Sequence, residues 1–291
     1  MSILVTGSTG RIGTEVIHRL AASGASVRAL TRSPEKADFP AGVTPIRGDL
    51  LDADAMRQAL VGVKTLFLLV SNAPDELTQA INTLGLAHQA GVTGIVYLSV
   101  TRSGEYADVA HFTSKHAVER MIERMDLPAT VLRPSYFFQN DATLKDPLTK
   151  AGLYVSPIGD KGVSMVDVRD IADAAAIELL RRHRAAAALP RVTYELSGPD
   201  AVTGASAAAV WAESLGREVR YAGGDLDAFE AAVKSKAPAW LAYDLRAMMS
   251  RYQSDGAVAS ATDIDRLTSL LGRAPRTYRN FVRETARAWQ A

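Results

Sequence analysis

A doubly wound parallel α/β sheet with a smaller, mostly helical C-terminal cap is the fold class this chain predicts, and three observations carry it. Six short apolar runs stand before residue 134, most of them separated by stretches of helical length. Gly7, Gly10 and Gly13 stand between the first run and the first helix, in the spacing G-x-x-G-x-x-G. The run TLFLLV at 65–70 has no polar alternation, as a central parallel strand covered on both faces requires.

Residues 2–6 form the first strand. Ile12, Val16 and Leu20 then recur on one helical face, with Ile17 beside them, until Gly24 stops the helix; residues 26–31 are the second strand. Gly7 permits a tight turn out of the strand, Gly10 leaves room for a pyrophosphate against the backbone, and Gly13 lets the helix pack close to the sheet. The segment Gly7, Ser8, Thr9, Gly10, Arg11, Ile12, Gly13 thus cradles phosphates at a helix N-terminus, whose first N–H groups lack internal partners. Strand, glycine turn, helix and strand make a dinucleotide-binding Rossmann unit.

The residue after the second strand chooses the dinucleotide. NAD sites usually place a carboxylate there for the adenosine ribose. Here Arg32 occupies the position, followed by Ser33 and Lys36, with Arg11 in the glycine loop. A guanidinium binds the extra phosphate of NADP through paired charge-assisted hydrogen bonds, so NADPH is expected over NADH.

A third strand at 43–47 leads to Asp49 and Leu50. Asp49 either faces the adenine or caps the helix that begins near Asp52. Helix 54–61 precedes the run 65–70. Val70, Ser71 and Asn72 then fall on the side of the sheet where ligands bind. Helix 75–90, a fifth strand at 94–99, helix 109–125 and a sixth strand at 129–133 follow, giving the strand order 3-2-1-4-5-6. Ser99 and Thr101, near the end of the fifth strand, present hydroxyls to a bound oxygen. Pro134 ends the sixth strand, and Tyr136, Phe137 and Phe138 bring three aromatic rings to the same rim.

Beyond this rim the alternation weakens. Short extended pieces at 153–159 and 163–166, a helix at 171–182 and strands at 192–197 and 218–221 are expected. Helices are expected at 205–215, 225–236, 239–250, 263–271 and 277–289. The nucleotide-binding domain is therefore placed at 1–150, receiving a later strand near 192–197. Residues 151–291 form mostly the cap, with parts returning to the first domain. Trp240, Tyr243, Met248 and Met249 line an apolar pocket there or pack in its core. Arg181, Arg182, His183 and Arg184 end a helix, where cations oppose the negative dipole end.

Composition excludes several classes. The chain has 291 residues, a formal net charge of +1 and no cysteine. Disulfides, thiolate metal sites and a cysteine nucleophile are excluded, and no general affinity for nucleic acid or an anionic membrane is expected. No apolar run approaches the ~20 residues that cross a bilayer. The N-terminus does not read as a signal peptide, and a cytoplasmic protein is expected. His111 and His116 are five apart and do not share a helical face, so no metal pair is expected.

The segments ILVTGSTGRIG at 3–13, GDL at 48–50, HFTSKHAVE at 111–119, LRPSYFFQN at 132–140, VDVRDIA at 166–172 and LGRAP at 271–275, with Arg32, resemble the NmrA-like group of atypical short-chain dehydrogenase/reductases. The resemblance covers nearly the whole chain. It implies either an NADPH-dependent reductase of quinones or other small unsaturated compounds, or a non-catalytic sensor that reports the NADPH/NADP balance to a protein partner. It also implies that Lys115 binds the nicotinamide ribose, while His111 stands where related reductases carry a proton-donating tyrosine. A histidine donates only when protonated or suitably oriented, which disfavours ordinary alcohol dehydrogenation. Hydride transfer to a quinone or enone needs less acid assistance and remains the expected reaction. On this reading His111 is the proton donor or a substrate contact. Tyr136 and Phe137 pack beside the nicotinamide or in the core, and Thr101, Phe138 and Trp240 are further candidates for the substrate.

Overall fold

The computed structural model describes residues 1–290. Its elements follow the expected alternation, beginning with β1 (Ser2–Val5), α1 (Arg11–Ala22), β2 (Val27–Thr31), β3 (Val43–Arg47) and α2 (Ala53–Leu60). Next come β4 (Val63–Leu68), α3 (Glu76–Gln89), β5 (Gly94–Leu98), α4 (Ala110–Arg124) and β6 (Ala129–Pro134). The later chain adds β7 (Leu153–Tyr154), α5 (Val168–Arg184), β8 (Val192–Leu196), α6 (Gly204–Leu215) and β9 (Arg220–Tyr221). It ends in α7 (Leu226–Lys234), α8 (Ala239–Ser254), α9 (Ala261–Leu271) and α10 (Tyr278–Gln290).

One seven-stranded sheet runs β3-β2-β1-β4-β5-β6-β8. The first six strands pair in parallel, with Ile3 opposite Val27 on one side and Thr65 on the other. The expected order is therefore present, extended by β8. Central strands are apolar on both faces: Ile3, Leu4 and Val5 are all buried. Strand β3 lies at the edge, where Pro45 costs no ladder bond on the open side.

The chain divides into two compact units, each assembled from several stretches of sequence. The first comprises Met1–Ser103, Ser114–Arg133 and Arg169–Tyr194; the second comprises Gly104–Thr113, Pro134–Val168 and Glu195–Ala291. The physical reason is the return of α5 and the first part of β8, which complete the sheet layer from far along the chain.

In the first unit, Leu4, Leu66 and Leu68 of the sheet pack with Met56 and Leu60 of α2, Leu84 of α3 and Val118 and Ile122 of α4. Helices α1 and α5 are joined by Arg19, which donates to Asp173 and to the Arg169 carbonyl. Arg182 is enclosed in this unit. Its guanidinium donates to Thr130 Oγ1 and to the carbonyls of Pro128, Leu189 and Pro190. Within the cluster at 181–184, which ends α5, Arg182 thus clamps the turn that follows the helix.

The second unit is mostly helical, with β7 and β9 as a two-stranded parallel ribbon. Its interior is aromatic: Phe138 lies 5.5 Å from Tyr278 and 5.6 Å from Phe281, and Trp211 stacks on Trp289 at 4.9 Å. A carboxylate sits among these rings. Asp141 accepts from Tyr154 at 2.9 Å and from Tyr278 at 2.5 Å, and Tyr278 accepts from Trp211 Nε1 at 3.0 Å. Burial pushes the Asp141 carboxyl up to about 6, against the two hydroxyls that lower it.

Candidate functional site

The glycine turn is shaped by its neighbours. Gly7 has φ +60°, and a Cβ there would lie 2.3 Å from Leu69 Cδ2, so both conformation and space demand glycine. A Cβ on Gly13 would stand 2.1 Å from the Gly7 carbonyl oxygen, which lets α1 approach the turn itself. Thr6 Oγ1 donates to the Leu69 carbonyl and accepts from the Leu69 N–H, each at 2.9 Å, knitting the ends of β1 and β4. Ser8 Oγ donates to the Leu30 carbonyl at 2.6 Å, fixing the loop to the end of β2.

A cavity of about 710 Å³ opens on this turn. It brings together Gly7, Ser8, Thr9 and Gly10 with Arg32, Lys36, Asp49, Leu50, Val70 and Ser71 from the ends of neighbouring strands. Arg11, Ile12 and Gly13 support it from the first turn of α1 without lining it. Asn72 is exposed on the same loop and does not line it. Leu30, Thr31, Ala37, Leu69, Ala73, Asp75 and Gln79 also line the cavity. Sequence reasoning missed these, although proximity to the strand ends is a signal for most of them.

Two observations show that the cavity suits a dinucleotide. Helix α1 has no side-chain cap at Gly10 and no acidic residue in its first turn, so the protein supplies no anion to its N-terminal N–H groups. At the other end, the exposed side chains of Arg32 and Lys36 make no ion pair among the described residues. The neighbouring Glu35 carboxylate is taken by Arg47 at 2.8 Å, and Arg47 also donates to the Arg32 carbonyl at 2.9 Å. The two readings of Asp49 separate. Asp52 is the side chain that caps α2, accepting from Asp54 and Ala55 at 3.0 Å, while Asp49 lines the cavity and accepts from the Leu51 N–H.

A second polar cluster lies inside the first unit. Lys115 on α4 is buried and donates to Glu76, the first residue of α3. One turn further, Glu119 accepts from Ser99 at 2.5 Å, from Ser103 at 3.3 Å and from Arg133 at 2.5 and 3.0 Å. This network ties the turn that carries half-buried Thr101 to the end of β6. The Ser99 hydroxyl is thus committed to Glu119 as donor. Glu76 and Glu119 had no sequence signal, since glutamates on helices are ordinary.

In the second unit, His111 Nδ1 is hydrogen-bonded to Asp244 of α8, and both residues are buried. Burial alone would raise the Asp244 carboxyl. Hydrogen bonds and attraction from His111, with backbone N–H groups of Ala110 and His111, outweigh it and hold the pKa below the usual value. Tyr136 is half-buried, edge-on to Tyr252 at 6.0 Å, and its hydroxyl pKa is pushed up by burial and by the Asp141 charge. Pro134 is buried at the end of β6, and Phe137 bridges Val166 through its backbone.

Phe138 differs from expectation. It is 1% exposed among Tyr278 and Phe281, a core position rather than a ligand-facing one. Met248 and Met249 are likewise core, whereas Trp240 and Tyr243 on α8 are 40% and 63% exposed.

The parallel sheet, the open helix N-terminus and the cavity at the strand ends define a dinucleotide-binding Rossmann protein. Residues 1–277 match the NmrA-like family, and the chain belongs to that family. It is 32% identical over 290 residues, 99% of each chain, to the (4-alkanoyl-5-oxo-2,5-dihydrofuran-3-yl)methyl phosphate reductase of Streptomyces griseus. It is 29% identical over 294 residues, again 99% of each, to the NAD(P)H azoreductase of Xenophilus azovorans. Among solved structures, the NADPH complex of an Escherichia coli NADPH-dependent quinone oxidoreductase superposes with a TM-score of 0.85 at 26% identity, covering 97% of this chain and 99% of that one. The chain is an oxidoreductase.

Proposed function

We propose that the protein transfers a hydride from NADPH to a small planar acceptor, a quinone or an enone. The observation that carries the cofactor choice is the pair Arg32 and Lys36, which line the cavity without a carboxylate partner among the described residues. The acceptor class is supported by the relatives. One acts on a quinone by name, and the oxo-dihydrofuran of another is a ring alkene conjugated to carbonyl groups.

The glycine turn and the first N–H groups of α1 hold the diphosphate, and Arg32 with Lys36 holds the 2′-phosphate. Lys115, oriented by Glu76, donates to the nicotinamide ribose. When bound, the dihydronicotinamide supplies the hydride. His111 gives a proton to the anionic oxygen of the reduced acceptor, while Tyr136 and Trp240 offer ring faces to a planar ligand.

The test is loss of reduced-nicotinamide absorbance with a panel of quinones and enones, beside titrations of NADPH and NADH. Saturable turnover with tighter NADPH binding is expected. Tight nucleotide binding with no turnover on any acceptor would overturn the reductase reading in favour of a nucleotide sensor, and preference for NADH would remove the phosphate role of Arg32.

A further inference from the structure

Helix α8 carries a carboxylate where packing alone would not put one. Asp244 is 4% exposed and shares its buried helical face with Met248, one turn later. A buried charge without partners costs several kcal/mol, so its bonds identify what it serves. One oxygen, Oδ2, meets His111 Nδ1; the other, Oδ1, accepts the backbone N–H of His111 at 3.4 Å. The ring is further held edge-on by Phe112, with centroids 4.7 Å apart and planes at 88°. Among the described residues no protein group bonds to Nε2.

We propose that Asp244 is a positioning residue: it fixes His111 with Nδ1 toward the carboxylate, so that Nε2 is the nitrogen that passes a proton to the acceptor. The proposal rests on the hydride-transfer reading above. Hydride addition leaves the acceptor two electrons richer and anionic on oxygen. The Nε2–H bond of the imidazolium then breaks and an O–H bond forms, leaving a neutral ring with its remaining proton on Nδ1, facing Asp244. Water returns the lost proton between turnovers. A carboxylate beside Nδ1 favours both states of the ring required by this cycle.

The same side chain also accepts the backbone N–H groups of Ala110 and His111 at the start of α4, a purely structural contact. Asp244→Asn separates the two roles. Its amide oxygen still accepts the backbone N–H groups, but the amide nitrogen then donates to Nδ1 and imposes the opposite tautomer.

The experiment uses the full chain, labelled with ¹⁵N-histidine, without nucleotide for the spectra and with NADPH and a quinone for the rates. His111 signals are assigned by their loss in His111→Gln. The expected result is an Nδ1–H tautomer in the wild type and an Nε2–H tautomer in Asp244→Asn. In the same variant kcat falls by about 100-fold or more while KM and NADPH affinity stay within about twofold. His111→Gln shows the same loss, and the double variant no further loss. An unchanged tautomer, an unchanged kcat, or losses that multiply in the double variant would overturn the proposal alone. No turnover by the wild type with any acceptor would overturn the reading beneath it. If Asp244→Asn does not fold, His111→Gln decides from the other side: full retention of kcat removes the proton role and with it the need for a positioning carboxylate.

Discussion

At the scale of single residues, Arg32 and Asp141 have opposite situations and opposite consequences. Arg32 is exposed at the cavity, and its side chain makes no ion pair among the described residues. Arg32→Ala is expected to weaken NADPH binding by about 10- to 100-fold, the worth of charge-assisted hydrogen bonds, while leaving NADH nearly unchanged. Calorimetric titration of both nucleotides checks this, and equal losses would show that the guanidinium serves the shared part of the cofactor. Asp141 is enclosed, with its carboxyl raised to about 6. Between about pH 4 and this value the folded chain keeps the proton and the unfolded chain releases it, so its contribution to stability falls as pH rises and is lost above about 6. Asp141→Asn should therefore gain on the wild type by about 3 kcal/mol between pH 4 and pH 7 in urea titrations. A constant difference between the two would deny the shift. Arg32 was legible because its distance from the glycines in the chain sets its place. Asp244 was not, since 133 residues separate it from His111 and only tertiary folding joins them.

At the scale of elements, the α1 turn makes a sharp prediction. Gly13→Ala places a methyl group 2.1 Å from the Gly7 carbonyl oxygen, and backbone must move to admit it. A stability loss of about 1–3 kcal/mol is expected, with a larger proportional loss of nucleotide affinity because the displaced backbone is the cradle itself. Thermal melting with and without NADPH reads both effects; a variant that binds normally would mean that the turn shifts without cost. Periodicity made β1 to β6 and their helices readable to within about two residues, since each buried face repeats at its own interval. It failed over residues 138–151, where short 3₁₀ and π turns follow no amphipathic pattern and Phe138 turns into the aromatic interior. Nor did periodicity decide whether Asp49 faces the ligand or caps α2, because its spacing is compatible with either role. Only the backbone course settles which carboxylate meets the free N–H groups.

At the scale of the whole molecule, the two units are interleaved along the chain, which leaves neither as a continuous fragment. Residues 1–150 lack α5 and β8 and should show no cooperative thermal transition when expressed alone, whereas a sharp transition would mean that the six-stranded part is self-sufficient. Arg182 is the residue through which that return is secured. Arg182→Met is expected to cost about 3–5 kcal/mol, because Thr130 Oγ1 and the carbonyls of Pro128, Leu189 and Pro190 lose their donor. Equilibrium unfolding measures it, and a near-neutral result would show that the turn after α5 can satisfy itself. The α1 N-terminus supplies neither cap nor acid to its own donors, so the protein is completed by what it binds. A ligand at a hundred times its dissociation constant adds about 2.7 kcal/mol to the folded state, and amides of the glycine turn should exchange with solvent slowly only when it is present. The lifetime of this chain under proteolysis then follows the nucleotide supply: a cell poor in the dinucleotide keeps less of the protein as well as running it more slowly.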